Sequence, residues 1–408
     1  MVFQSLSKVG RIRILLFVTI LMLSGCASPP SEDPPGGTVQ RSQGEGEVAQ
    51  MSTPSATFTA LPSLTSTSIP PSPTAPPPSP TSTPTKTPEP KAINPLTGQP
   101  VQDPATLCQR PLLVSVSNFP VSSRPQAGLS AAAQVWETFI GEGMTRLLTV
   151  FYGDYIQDLE EIINNRLAEG SEEGFVIGPV RSGRVVYEDI KTLFQGGRLI
   201  TAGASSDVAA QLTGRSSVYS SNPDDINSAG VAVGDLAGDS SCHVDPSQYT
   251  TLVFDPVPPS GGEEARFVRI VYNHLNQIGW EYDPELVAYL RFQDKADGTG
   301  ELYPATDRLT GEQLAFDNVV VMWAQHRFVT PTIIEMELVY VWDQKGLLFR
   351  DGKVFDVRWS TRRGELVLHD DDGNPIPLKP GSTFFEVVSW QSTWYPQSMI
   401  VRYHNPPR

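Results

Sequence analysis

Leu112-Leu113-Val114-Ser115-Val116 and Arg146-Leu147-Leu148-Thr149-Val150-Phe151 are short apolar runs without interruption. Runs of this kind suit strands covered on both faces. Directly after the second run, Ile156, Leu159, Ile162, Ile163 and Leu167 recur at helical spacing, and Gly170 stands where such a helix would stop. Tyr187 to Phe194 reads as another helix, Leu199-Ile200-Thr201 as a short strand and Ala209 to Leu212 as a helical turn. Strands alternating with helices predict an α/β (or α+β) subdomain over residues 94–262.

Further along, residues 263–408 read as mainly β. Arg266–Tyr272, Leu286–Phe292, Asn318–Trp323, Ile333–Trp342, Lys353–Ser360, Glu365–His369 and Phe384–Trp390 are rich in β-branched and aromatic residues. Asp351-Gly352 and Asp372-Gly373-Asn374 have the chemistry of hairpin turns. Asp370-Asp371-Asp372-Gly373 does not fit a calcium loop of the EF-hand type, because Leu368 would take the first ligand position, and it reads as a turn. Six of the seven Trp lie in this half. Most are expected in the core, with Trp390, Trp394 and Tyr395 the best candidates for a surface patch.

Ahead of the folded residues come two segments of different composition. Lys8, Arg11 and Arg13 precede the apolar run Ile14–Leu23, which at ten residues is half the ~20 that a spanning helix requires. A basic flank and a short apolar core read as a secretory leader over residues 1–25. Leu23-Ser24-Gly25-Cys26 looks like a bacterial lipobox, which would make Cys26 the lipidated first residue of the mature chain. Acyl chains such as palmitate on Cys26 would anchor the protein to the membrane by the multiple-chain argument. Residues 26–93 then read as a disordered tether: from Ser52 to Pro90, 30 of 39 residues are Ser, Thr or Pro, too little apolar surface to offset the entropy of ordering. The expected location is the extracytoplasmic face of the cell membrane.

Charge narrows the list of partners. Six Lys/Arg and five Asp/Glu fall in residues 1–93, which leaves 24 and 40 for residues 94–408, a net of −16. A nucleic-acid partner is not expected of so acidic a surface. Within it, Arg124, Arg146, Arg181 and Arg184 stand at turns and element ends, in Arg124-Pro125-Gln126-Ala127-Gly128-Leu129, at the start of a strand, and in Gly178-Pro179-Val180-Arg181-Ser182-Gly183-Arg184. Planar guanidinium groups so placed can converge on one carboxylate or phosphate through bidentate hydrogen bonds. A helix beginning near Ser182 would add backbone N–H groups, and Glu137 and Glu142 would balance the arginines. Arginines among acidic groups also serve as ion-pair networks that lock loops.

Nucleophile elbows, HExxH zinc motifs and phosphate-binding Walker loops are missing from the sequence. Ser182 between two arginines reads first as a helix N-cap, with His243 as the one histidine that could approach it. Cys108 and Cys242 are the cysteines left after Cys26, and outside the cytoplasm such a pair is a candidate disulfide. No metal and no cofactor is called for by these residues.

Several motifs together carry a family resemblance: Asn94-Pro95-Leu96-Thr97-Gly98, Arg110-Pro111, the Arg124–Leu129 loop, Val135-Trp136-Glu137, Glu142-Gly143-Met144-Thr145-Arg146 and Gly178–Arg184. With Tyr289-Leu290-Arg291, Thr310–Leu314, Asn318–Val321 and Pro380–Thr383, they resemble the YerB-type lipoprotein family, whose extracellular region is a two-part domain of unknown function. The likeness covers nearly all of residues 94–408. It departs at Gly143-Met144, where the family usually has two glycines, and in a long insertion around Asp158–Gly174. A looser likeness of pattern links the chain to the LytR-CpsA-Psr glycopolymer transferases, although no Asp stands beside the matching arginine.

These readings lead to an anchored lipoprotein that binds an anionic cell-wall component or an envelope protein. Arg124, Arg146, Arg181 and Arg184 would make the contacts, with Glu137, Glu142, Ser182 and His243 around them. Two alternatives stay open. One is an enzyme acting on a phosphate-bearing envelope substrate; the other is a structural scaffold in which the arginines lock the fold.

Overall fold

The computed structural model describes residues 92–168, 175–222, 224–236, 242–249, 252–362 and 364–407. The leader, Cys26, the tether as far as residue 91, the side chain of Leu167 and Gly170 lie outside the described residues. In chain order the first strands and helices are β1 (Leu112–Ser117), β2 (Gln134–Gly141), β3 (Met144–Phe151), α1 (Tyr155–Ala168), α2 (Val186–Thr192), β4 (Arg198–Thr201), α3 (Ser206–Ala209), β5 (Arg215–Ser217) and α4 (Val233–Leu236). The later strands are β6 (Glu263–Glu264), β7 (Phe267–Asn273), β8 (Asn276–Asp283), β9 (Ala288–Asp294), β10 (Leu302–Pro304), β11 (Ala315–Phe316), β12 (Asn318–Ala324) and β13 (His326–Thr330). The chain closes with β14 (Ile333–Met336), β15 (Gln344–Arg350), β16 (Lys353–Arg362), β17 (Glu365–His369), β18 (Thr383–Ser389), β19 (Thr393–Tyr395) and β20 (Ile400–Arg402).

One sheet of 11 strands carries the molecule, in the order β17-β16-β15-β12-β18-β2-β3-β1-β4-β5 with β6 beside β16. Residues on both sides of the border at 262/263 contribute to it: β2 pairs in parallel with β18, Val135 opposite Phe384 and Glu137 opposite Glu386. Strands β1, β2, β12 and β18 are buried along their whole length, as their continuous apolar runs require. A second sheet, β10-β9-β8-β7-β20-β19 with β11 beside β9, packs on one face of the first. Trp280 seals that interface, its ring centroid 4.7 Å from Phe384 and 5.9 Å from Phe316. On the opposite face Trp136 stacks on Phe385 at 4.1 Å, and α2 buries Val186, Tyr187 and Ile190.

The described residues as a whole are mostly β with few helices, and within residues 94–262 the mixture of strands and helices is of the α+β kind in the expected α/β (or α+β) pair. Helices there are short apart from α1. β2, β3 and β1 are antiparallel neighbours, and the only parallel stretch within this region is β1-β4-β5. Turn chemistry reads more faithfully: Asp351 and Gly352, at φ 52° and 72°, form the β15–β16 hairpin. Asp370 accepts from the backbone N–H groups of Asp372 and Asn374, which makes 370–374 a turn. The strand expected over Ile333–Trp342 ends at Met336. Among the described residues no helix is long and apolar enough to cross a membrane.

Candidate anion site and a buried carboxylate pair

Successive residues of a strand point to opposite faces, and Thr145 and Arg146 on β3 divide the polar residues between two places. Arg146 lies opposite Thr138 and Ser117, on the face covered by α2. It is 5% exposed, and its Nη1 donates to the carbonyl of Ser182 at 3.1 Å. The segment after Pro179 is sewn to β1 and β4: Arg181 N–H donates to Ser115 O, Ala202 N–H to Arg181 O and Gly183 N–H to Gly203 O. This brings Arg181 and Arg184 beside Arg146. Arg184 Nη1 donates to Ser182 Oγ and to the Gly183 carbonyl, both at 3.1 Å, and Arg181 Nη1 reaches the Ile226 carbonyl at 3.3 Å.

Among the described residues none of these three arginines pairs with a carboxylate. The Nε atoms of all three are buried without a hydrogen-bond partner, and so is Oγ1 of Thr201. Burial pulls Arg146 down to about 10, and Arg184 and Arg181 repel it further, while Tyr187 acts in the opposite sense. Arg181 is lowered by burial and by Arg184. Three cations thus lie within Coulombic reach of one another, with N–H donors left over.

Glu137 is on the other face. Its Oε1 accepts from Asn118 Nδ2 at 3.1 Å and from Thr145 Oγ1, and its Oε2 accepts from Arg291 Nη2 at 2.9 Å. Glu386, its parallel neighbour, accepts from Trp280 Nε1 at 3.0 Å and contacts Tyr272 Oη at 3.1 Å, with Arg291 Nη1 at 3.7 Å. Arg291 is also flanked by the Phe384 and Trp280 rings, at 4.8 and 5.4 Å. Burial pushes the Glu386 carboxyl up to about 8, Glu137 adds repulsion, and Arg291 and the hydrogen bonds from Trp280 and Tyr272 oppose it. Arg291 and Glu386 are the polar residues that site reasoning on the sequence missed; the signal was a charge inside an apolar strand.

The other expected site residues go elsewhere. Arg124 donates from Nε to Asn118 O at 3.1 Å and from Nη1 to Asp294 O at 2.9 Å, and its guanidinium lies 4.7 Å from the Phe119 ring. It belongs with the inter-sheet groups, and burial lowers its pKa, with Arg291 adding to the effect. Glu142 is exposed at the β2–β3 turn and lines a separate hollow with Phe139 and Phe328. His243 sits near the start of β1, its Nδ1 3.4 Å from Arg110 Nη2 and its N–H bonded to Cys108 O. Ser182 contacts β1 near Ser115, about 16 Å along the strand from residue 110, so His243 is not its base.

Ser182 does not cap a helix either, because α2 begins at Val186 with Val185 in the cap position. Its hydroxyl accepts from Arg184. Cys108 and Cys242 form a disulfide with Cα atoms 4.8 Å apart. Among the described residues no group of three or more His, Cys, Asp or Glu is placed to hold a metal ion.

Residues 96–234 match the N-terminal domain, and residues 268–385 the C-terminal domain, of the family described as "Protein of unknown function (DUF3048)". A protein of Bacillus subtilis (strain 168) named "Putative lipoprotein YerB" is 26% identical over 315 residues, 72% of this chain and 85% of its own length. The crystal structure of the YerB protein from Bacillus subtilis has the same fold, with a TM-score of 0.56 and 24% identity, covering 73% of this chain and 97% of that one.

Proposed function

The chain belongs to the two-part DUF3048 family, and from that premise we propose that it is an envelope lipoprotein, anchored through Cys26 on the extracytoplasmic face, whose arginine cluster binds an anionic ligand. A cell-wall component or an envelope protein presenting a carboxylate or phosphate would supply that ligand. The observation that carries the reading is Arg146, Arg181 and Arg184 gathered without an acidic partner among the described residues. Leaving a buried donor unsatisfied costs about 1–3 kcal/mol, and more when it is charged, a cost that a bound anion would remove. Arg124, Glu137, Glu142 and His243 are left out of the contact set, because each is engaged elsewhere or lines another hollow.

Binding of the purified chain to anionic wall fragments and lipid-linked precursors tests this reading. Arg181→Ala/Arg184→Ala is expected to weaken binding at least tenfold, roughly the loss of one charge-assisted hydrogen bond. Equal binding by the two proteins refutes the site. A large fall in melting temperature on Arg184→Ala, with no ligand effect, would favour the scaffold reading instead.

A further inference from the structure

At the other end of the central sheet from β4 and β5, Tyr340-Val341-Trp342-Asp343 runs beside the end of β16. The segment is fastened: Val341 N–H donates to Thr361 Oγ1 at 3.3 Å, Thr361 N–H to Val341 O at 2.8 Å and Asp343 N–H to Ser360 Oγ at 2.9 Å. Tyr340 and Asp343 both adopt left-handed backbone, at φ 58° and 55°. That conformation costs about 1–2 kcal/mol for a residue with a Cβ. This anchored and strained segment nevertheless holds two large rings in water, Tyr340 at 68% and Trp342 at 51% exposure.

Trp342 forms one wall of a hollow of about 390 Å³, with Asp343, Ser360, Arg362, His369, Asp371 and Asp372 around it. The walls are set in advance. Arg358 Nε bonds Asp371 at 2.8 Å and lies 3.8 Å from Asp343. His369 Nδ1 lies 2.8 Å from the Asp370 carbonyl, which makes it the donor there, so Nε2 accepts from Ser360 Oγ at 3.0 Å. Beside one aromatic face the hollow thus offers carboxylate acceptors at Asp343, Asp371 and Asp372 and guanidinium donors at Arg362.

The chemistry selects the occupant. Its three carboxylates outnumber Arg362 in the lining and Arg358 beside them, so the hollow is net negative and disfavours phosphates and uronic acids, in contrast to the arginine cluster, with which it shares no residue. A hydroxyl-rich ring suits both kinds of wall, because its O–H groups donate to carboxylates and its axial C–H bonds lie on the negative face of an indole. We propose that Trp342, with Asp343, Asp371 and Asp372, binds an uncharged hexose-based glycan.

Isothermal titration of the purified chain against soluble oligomers of N-acetylglucosamine, glucose and galactose tests the site. At least one is expected to bind. Trp342→Ala should then weaken binding at least tenfold, Trp342→Phe should restore most of it, and Trp390→Ala, at another exposed tryptophan, should leave it unchanged. Binding of none of the three oligomers overturns the proposal, and so does equal binding by wild type and Trp342→Ala. A peptide of residues 62–90 that binds at Trp342 while the saccharides do not would also overturn it, in favour of docking by the Pro-rich tether.

Discussion

At the scale of single residues, the parity of a strand decides which charges meet. Glu137 and Arg146 were expected in one site, yet they occupy opposite faces of the same sheet, and Glu137 finds its cation in Arg291. Two carboxylates then share one guanidinium. With Glu386 protonated, the group of three is neutral. The raised Glu386 carboxyl keeps in the folded state a proton that the unfolded chain has released above about 4.5. Folding stability therefore falls as pH rises from about 4.5 to about 8 and levels off above, with a slope of at most ~1.4 kcal/mol per pH unit. Glu386→Gln, which mimics the protonated acid, is expected to flatten this slope in urea midpoints measured between pH 5 and 8. An unchanged slope would assign the proton elsewhere. The sequence hides the pairing because Phe384-Phe385-Glu386-Val387-Val388 and Leu290-Arg291-Phe292 each carry one charge in an apolar run, and nothing local says that the two runs face each other.

Among elements, the loop Arg124–Leu129 depends on a distant residue. Asp307 accepts from Gly128 N–H at 3.0 Å, Ser130 N–H at 2.9 Å, Ser130 Oγ at 2.8 Å and Leu309 N–H at 2.8 Å, so one carboxylate fixes two loops. Gly128 allows this approach: at φ 82°, a Cβ there would lie 2.3 Å from the Val176 carbonyl. Asp307→Ala strands the backbone N–H groups of Gly128 and Ser130 and is expected to lower stability by about 2–4 kcal/mol in urea unfolding. A loss below 1 kcal/mol would mean that water replaces the carboxylate at both loops. Elements with a continuous apolar pattern, such as β1, β12 and β18, were legible from sequence, as was the hairpin at Asp351-Gly352. β8 and β15 were not, because Gly279 and Gly346 interrupt them where facing side chains crowd in: a Cβ at Gly279 would meet Leu302 at 2.7 Å, and one at Gly346 would meet Val357 at 3.0 Å. The arginine turn was legible as a turn, but the helix behind it starts later than Ser182, so the cluster rests on side chains and carbonyls.

Over the whole molecule, the central sheet joins residues that sequence patterns assign to separate subdomains. Composition changes near residue 262, and the family domains fall on either side of it, yet β18 lies between β12 and β2 and pairs in parallel with both. Parallel pairing between remote strands leaves no turn signature, so this joint could not be read from the chain. Splitting the protein at the border would expose β2 and β18 as long apolar edges, which are templates for aggregation. It would also part Glu137 from Arg291, and separating a buried ion pair costs about 3–5 kcal/mol, a large share of a domain's usual 5–15 kcal/mol. Residues 92–262 and 263–407 expressed apart are accordingly expected to aggregate or to give collapsed amide spectra, whereas the intact chain gives dispersed ones. A dispersed two-dimensional amide spectrum and a cooperative melt from either piece alone would show that the shared sheet is dispensable for folding.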